Sequence, residues 1–143
     1  MDMLHLFEGV TLLNRERYHN ILFKIGAIWN WVLAITFLVL PRIDIGYFSL
    51  AGDVPPPPTL LWADSFFLLV FVVGLLLYAI SINPEASQGF IPVAIFEKIS
   101  IFLLGIFYFF IGEASILVVG FVTGDLILGI FFAEHLLTLR RAA

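Results

Sequence analysis

The sequence predicts an all-α, polytopic membrane protein folded as an antiparallel bundle of four transmembrane helices. Hydrophobic residues make up 62% of the 143 residues and charged residues only 13%. A soluble domain usually has about 25% charged residues, and it needs them to cover its surface, whereas side chains that face lipid are apolar. Four apolar stretches are long enough to cross about 30 Å of hydrocarbon. They cover residues 21–40, 60–82, 91–112 and 115–139.

The first 20 residues are expected to lie on the membrane surface rather than to cross it. Apolar side chains such as Leu4 and Phe7 alternate loosely there with charged ones such as Glu8 and Arg15. This mixed pattern is typical of an interfacial amphipathic segment. A soluble arm that binds a partner is the alternative interpretation.

Three connections separate the predicted helices. The first, residues 41–59, contains the run Pro55–Pro58, which favours a stiff polyproline II connector or, alternatively, a docking ligand for an aromatic groove. The second, residues 83–90, is short. The third is a tight turn around Gly112, so the third and fourth helices are expected to form an antiparallel hairpin.

The distribution of basic residues predicts the orientation in the membrane, because cytoplasmic loops carry an excess of Lys and Arg. The connection at 41–59 has a single arginine, offset by two aspartates. The basic residues near the two chain termini are Arg15, Arg17, Lys24, Arg140 and Arg141. Both termini are therefore expected in the cytoplasm and the proline-rich loop outside.

Composition also excludes several classes of function. The net charge is −4, and the longest basic run is Arg140-Arg141, which argues against nucleic acid as a partner. The chain has no cysteine, so disulfides, thiolate metal sites, c-type haem and cysteine nucleophiles are excluded.

Ionisable residues inside a membrane span are costly and are functional candidates by default. Glu97 and Lys98 lie in the predicted third helix, Asp125 lies in the fourth, and Asn30 lies near the middle of the first. From the helical rise of about 1.5 Å per residue, Lys98 and Asp125 are expected within side-chain reach of each other. We interpret the four residues as a ligand-binding or proton-relaying site beside a Phe- and Leu-lined cavity in the cytoplasmic half. A purely structural ion pair is the alternative.

The histidines are candidate ligands for a metal or haem. His19 and His135 are both expected on the cytoplasmic side, and a zinc site there would need a third ligand such as Glu134. His19 precedes the predicted first helix and His135 lies near the end of the fourth. Both are therefore expected to be ordinary interfacial histidines, with no metal site and no cofactor. On the fourth helix, Gly120 and Gly124 form a small-xxx-small pair that predicts close helix packing.

Several segments occur in a recognisable order along the chain. They are Arg17-Tyr18 leading into Lys24, Trp29-Asn30-Trp31, Pro41, the proline run, Tyr78 to Pro84, Lys98-Ile99, Tyr108 to Glu113, Gly124-Asp125-Leu126 and Phe131-Phe132. This order, over roughly residues 15–140, resembles the DoxX-like group of small bacterial four-helix membrane proteins, many of unassigned function. The resemblance implies residence in a bacterial cytoplasmic (inner) membrane and an association with membrane oxidoreductase systems that pass electrons to quinone. For individual residues, it carries over only the positions of Lys98 and Asp125. The bundle is also similar to the EXPERA fold, whose members bind sterols around buried carboxylates.

The expected function is therefore binding of a hydrophobic small molecule, such as a quinone or lipid, or service as an accessory subunit of a membrane oxidoreductase system. A proton-coupled small transporter and a membrane isomerase-type enzyme that uses the same carboxylates are the alternatives. The expected partners are the bilayer, the small molecule, and another copy of the chain or a membrane complex.

Overall fold

The computed structural model describes the backbone of residues 3–50, 52, 55, 57–83 and 88–142, and their side chains except those of 3–16, 49, 141 and 142. This part of the chain is all-helical. Its four α-helices are α1 (Met3–Ile43), α2 (Leu61–Ile82), α3 (Ile91–Phe110) and α4 (Ile116–Ala142). Short 3-10 helices cover Ile45–Leu50 and Gln88–Phe90. Four helical segments, one for each α-helix, are long and apolar enough to cross a membrane.

Helix α1 is longer than the first predicted span at both ends. It begins at Met3 and continues without interruption, because the sequence contains no proline before Pro41. The helix includes Pro41 and ends at Ile43, rather than ending at the proline as predicted. Pro41 removes one N–H donor only from the last turns, and the Arg42 guanidinium donates to the Leu38 carbonyl there. The placement of residues 1–20 on a membrane surface stays a prediction.

Helices α1 and α2 pack antiparallel over their whole shared length. The Asn20 amide donates to the Ser81 carbonyl at one end of the pair, at 3.1 Å. At the other end the Arg42 guanidinium binds the Asp64 carboxylate with two N–O distances of 3.1 and 2.8 Å. Of the proline run between the two helices, residue 56 lies outside the described residues, and polyproline II conformation remains a prediction.

The turn between α3 and α4 is as tight as predicted. Gly112 has a φ of +81°, a left-handed conformation that glycine adopts without steric cost. Its N–H donates to the Phe109 carbonyl at 3.1 Å, and the Glu113 N–H donates to the Tyr108 carbonyl at 2.9 Å. These two bonds are those of a Schellman motif, which ends a helix by satisfying its last carbonyls. The two helices then run antiparallel, as the sequence predicted.

Helix α4 also packs closely against α1. A Cβ atom on Gly124 would lie 2.5 Å from the ring of Trp29, whereas one on Gly120 would meet nothing within 4 Å. Of the predicted small-residue pair, Gly124 alone therefore allows close packing within the bundle. Nearer the chain ends, the Phe23 and Phe132 rings stack with their centroids 4.5 Å apart.

The interior of the bundle differs between its two halves. The half nearer the chain termini, here called the closed half, has a core of completely buried apolar side chains: Phe23, Leu77, Ile80, Ile91 and Phe132. The other half, here called the loop half, contains the α3–α4 turn and the connection between α1 and α2. Its interior holds a cavity rather than a packed core.

Candidate functional site

The ammonium group of Lys98 lies at the centre of the bundle, where its side chain is 1% exposed. Lys98 Nζ donates to Asp125 Oδ1 and to Asn30 Oδ1, both at 2.6 Å. Glu97 Oε2 lies 3.4 Å from the same nitrogen. The predicted approach of Lys98 and Asp125 is thus confirmed, and all four residues singled out from the sequence meet at one point. We call Asn30, Glu97, Lys98 and Asp125 the Lys98 cluster.

The α3–α4 hairpin explains why Lys98 and Asp125 meet. They are nearly equidistant along the chain from Gly112, so an antiparallel hairpin brings them to the same level. A Cβ atom on Gly129, one turn further along α4, would lie 3.1 Å from the Cβ of Lys98. The absence of a side chain at Gly129 therefore leaves room for the lysine stem to cross between the helices.

Asn30 connects the cluster to α1 and α2, and its amide orientation follows from its two partners. The ammonium of Lys98 is only a donor and the Val70 carbonyl is only an acceptor. Asn30 Oδ1 must therefore face Lys98, while Asn30 Nδ2 donates to Val70 O at 3.3 Å. With Asp125 on α4, the cluster joins all four helices through hydrogen bonds or ion pairs.

The cluster contains one cation and two carboxylates. Buried charges need paired partners because their removal from water is costly. The two hydrogen bonds that Lys98 donates go to Asp125 and Asn30. Glu97 Oε2 is buried but accepts no hydrogen bond from the described residues, although Lys98 is within ion-pair distance. Glu97 is also the most exposed member of the cluster, at 22% of its side chain.

A cavity of about 320 Å³ begins at the Lys98 cluster, with Glu97 and Asp125 in its wall. Its wall is mostly apolar, as predicted, and includes the Phe and Leu residues Leu33, Phe37, Phe66, Phe67, Leu104 and Phe121. Its position differs from the prediction. The cavity extends from the cluster into the loop half, toward Glu113 and Ala114 of the α3–α4 turn. The half predicted to hold it is filled by the stacked Phe23 and Phe132 rings.

The cavity opens near the α3–α4 turn, where Glu113 is both exposed and part of the wall. The connection between α1 and α2 contacts this turn. The Ser115 hydroxyl donates to the Leu50 carbonyl at 2.5 Å. A Cβ atom on Gly52 would lie 2.9 Å from the Glu113 carbonyl oxygen. The α1–α2 connection therefore packs on the turn that contributes Glu113 and Ala114 to the wall of the cavity.

The two histidines form a second buried polar group, which the sequence interpretation missed. His19 and His135 are 3% and 2% exposed, so both rings are buried within the bundle, and their place at a membrane interface stays a prediction. His19 Nδ1 lies 2.5 Å from His135 Nε2, and His19 Nε2 lies 3.0 Å from the Ile80 carbonyl oxygen. Helix α1 begins well before residue 19, so His19 lies one turn before Phe23 on the same face of that helix. The spacings of four residues from His19 to Phe23 and of three residues from Phe132 to His135 place each pair on one helix face. These spacings were the signal in the sequence that could have predicted the burial of the histidines.

The arrangement of acidic residues and histidines gives no group of three or more that could hold a metal ion, among the residues that the structure describes. The two His ring nitrogens face each other directly, and Glu134 instead accepts a hydrogen bond from the Tyr18 hydroxyl at 3.1 Å. The third ligand that a zinc site would need is thus engaged elsewhere.

Comparison of the chain with protein-family models, curated proteins and solved structures gave no match. The DoxX-like resemblance therefore stays a prediction. The site's chemistry has to be inferred from the cavity, the Lys98 cluster and the bundle that positions them.

Proposed function

We propose that this protein resides in a membrane and binds a small apolar molecule in the cavity of its loop half. The observation that carries the proposal is one cavity of about 320 Å³ that combines an apolar wall with the Lys98 cluster at its inner end. Ligand sites are typically concave and apolar with a few convergent polar groups, and their volumes run from about 300 to 1,000 Å³. This cavity is at the lower end of that range, which favours a ring system or a short chain over a complete lipid.

Residence in a membrane is supported by the outer surface of the bundle. Large apolar side chains such as Trp62, Phe96 and Phe110 are more than two-thirds exposed, and many others surround them. Soluble monomers rarely expose large contiguous apolar patches, whereas lipid requires them. We assign both termini to the cytoplasm because basic residues are concentrated near them, and we assign the protein to a bacterial cytoplasmic membrane because the DoxX-like resemblance implies it.

In this proposal the Lys98 cluster supplies the polar contacts to the ligand, and the candidate ligand classes are hydroquinones, the hydroxyl-bearing reduced form of quinones, and small lipid-like molecules. The geometry favours binding over proton-coupled transport. The completely buried core of the closed half follows directly behind the cluster, so a polar path through the described residues ends at Lys98 in this conformation. An accessory role in an oxidoreductase system is compatible with the same site.

The proposal is tested by asking what the cavity retains during purification. Val118 lines the cavity, whereas Val93 is exposed on the outer face of α3, so Val118→Phe and Val93→Phe add the same atoms inside and outside. The unmodified chain and both variants are purified in one detergent, extracted with organic solvent and analysed by mass spectrometry. We expect a small apolar compound to accompany the unmodified chain and Val93→Phe, and to be depleted in Val118→Phe. Equal recovery of the same compounds from all three proteins would contradict a cavity ligand.

A further inference from the structure

The hydrogen-bonding groups at the inner end of the cavity are unequally divided between donors and acceptors. An ammonium group has three N–H donors and no acceptor. Two of those of Lys98 are donated to Asn30 and Asp125 at 2.6 Å, and Glu97 Oε2 lies nearest in the remaining space at 3.4 Å. Two of the three donors of Lys98 are therefore directed toward other members of the cluster, and the donor of Asn30 is directed toward the Val70 carbonyl.

Solvent exposure also distinguishes the donor side chains Lys98 and Asn30 from the Glu97 carboxylate. Lys98 and Asn30 are 1% and 0% exposed, so protein atoms enclose them almost completely. Glu97 is 22% exposed and lines the cavity together with the other members of the cluster. Glu97 is therefore the member of the cluster that a molecule in the cavity can contact most extensively.

One of these oxygens lacks a hydrogen bond. Glu97 Oε2 is buried and accepts none from the described residues, and a buried acceptor without a donor is unfavourable. A carboxylate accepts hydrogen bonds and donates none while it is ionised. The other polar side chains of the wall, Tyr108 and Glu113, lie at the exposed outer end of the cavity.

We infer that the ligand carries a hydrogen-bond-donating head group, a hydroxyl or an ammonium, and binds with that head against Glu97. This inference rests on the proposed function and specifies which polar chemistry the cavity recognises. The apolar remainder of the ligand extends along the Phe-lined wall toward the α3–α4 turn. A ligand whose head only accepts hydrogen bonds, such as a ketone or an ether, would offer no donor to Glu97 and would face its negative charge. The site therefore discriminates against such molecules.

The test compares molecules that share one ring system and differ in the head group. Naphthol donates a hydrogen bond, its methyl ether only accepts one, and naphthylmethylamine carries an ammonium. Binding to the full chain in lipid nanodiscs is measured by equilibrium dialysis, and empty nanodiscs of the same lipid correct for partitioning into the bilayer. We expect naphthol or the amine to bind about tenfold more tightly than the ether, as for a hydrogen bond to a charged acceptor.

Two variants locate the preference within the cavity. Glu97→Gln keeps the side-chain size but removes the charge and adds an N–H donor, so it is expected to lose most of the preference for donor head groups. Glu113→Gln makes the same chemical change at the mouth and should keep the preference. The head-group comparison in the unmodified chain tests the inference even if Glu97→Gln does not fold.

The outcomes separate the inference from the function on which it rests. Equal binding of naphthol, amine and ether, or tighter binding of the ether, would overturn the donor preference while supporting an apolar ligand cavity. A preference that Glu97→Gln retains in a folded protein would overturn the assignment to Glu97. Binding of none of the three above the level of empty nanodiscs would overturn the proposed function itself.

Discussion

In the interior of the bundle, the single ammonium group of Lys98 lies near two carboxylates, those of Asp125 and Glu97. Its hydrogen bonds to Asp125 and Asn30 are short, and its distance to Glu97 is longer by almost an ångström. The unequal distances indicate that Asp125 is the principal counter-ion and that Glu97 is held less firmly. Lys98 therefore stabilises the bundle, and Glu97 retains the accepting capacity that the proposed ligand would use.

Replacement of Lys98 by methionine is expected to destabilise the fold strongly. The change leaves Asp125 as an uncompensated buried charge, and breaking a buried pair typically costs about 3–5 kcal/mol. Adding Asp125→Leu should recover only part of the loss, because Asn30 Oδ1 still lacks its donor. Unfolding free energies in one detergent provide the measurement. Lys24→Met is the control, since Lys24 is half-buried on α1 outside the cluster. Similar losses for Lys98→Met and Lys24→Met would show that the buried pair is unimportant.

The histidine pair leads to a prediction about ring protons. The Ile80 carbonyl only accepts hydrogen bonds, so His19 Nε2 must carry a proton to donate to it at 3.0 Å. In the neutral pair, His19 Nδ1 then accepts from His135 Nε2–H. Nitrogen chemical shifts of histidine-labelled protein should therefore show both rings as Nε2–H tautomers when neutral. A His5→Gln background removes the third histidine signal. Detection of neutral His19 with its proton on Nδ1 would contradict the hydrogen-bond directions.

At the scale of elements, α1 has a different role from the α3–α4 hairpin. The hairpin is specified locally, because the Schellman turn at Gly112 fixes the register that aligns Lys98 with Asp125. Helix α1 depends on contacts distant in sequence, with Asn30 reaching α2 and α3 and Trp29 packing on α4. Its close approach to α4 requires a glycine at position 124.

Gly124→Ala is expected to destabilise the bundle, whereas Gly120→Ala is not. The new methyl group at position 124 would lie 2.5 Å from the Trp29 ring, and overpacking of this kind typically costs about 1–3 kcal/mol. At position 120 nothing lies within 4 Å. The alanine there should be neutral or stabilise by up to about 1 kcal/mol through helix propensity. Thermal unfolding of both variants in the same detergent makes the comparison. An equal or higher melting temperature for Gly124→Ala would contradict the predicted packing.

At the scale of the whole molecule, the charge distribution predicts one orientation in the membrane. Pro57 and Gln88 are both exposed and lie at opposite ends of the bundle, and the chain contains no cysteine of its own. In intact cells, a membrane-impermeant thiol reagent should label Pro57→Cys from outside and leave Gln88→Cys unlabelled until the membrane is opened. The unmodified chain gives the background. Labelling of Gln88→Cys alone in intact cells would reverse the assigned topology.

Much of this architecture was predictable because its causes are local. The length of the apolar stretches predicted four helices. The nearly equal separations of Lys98 and Asp125 from Gly112 along the chain predicted that the two residues meet. The contribution of Asn30 was expected from its depth alone. The location of the cavity was not predictable from depth, because it depends on where bulky rings from different helices fill the interior. The stacking of Phe23 on Phe132 and the burial of His19 depend on the rotation of α1 and α4 about their axes, which an apolar run without periodicity does not reveal.

The packed core of the closed half also has a mechanical consequence. Four helices that are fixed to one another along one half can change their separation only by pivoting about that half. Displacement then increases with distance from the pivot, so it is small at Lys98 and greatest at the outer ends of the helices. The hydrogen bond from the Ser115 hydroxyl to the Leu50 carbonyl ties two of those outer ends together. Under the proposed function, the residues that limit this movement are therefore different from the residues of the Lys98 cluster that recognise the ligand.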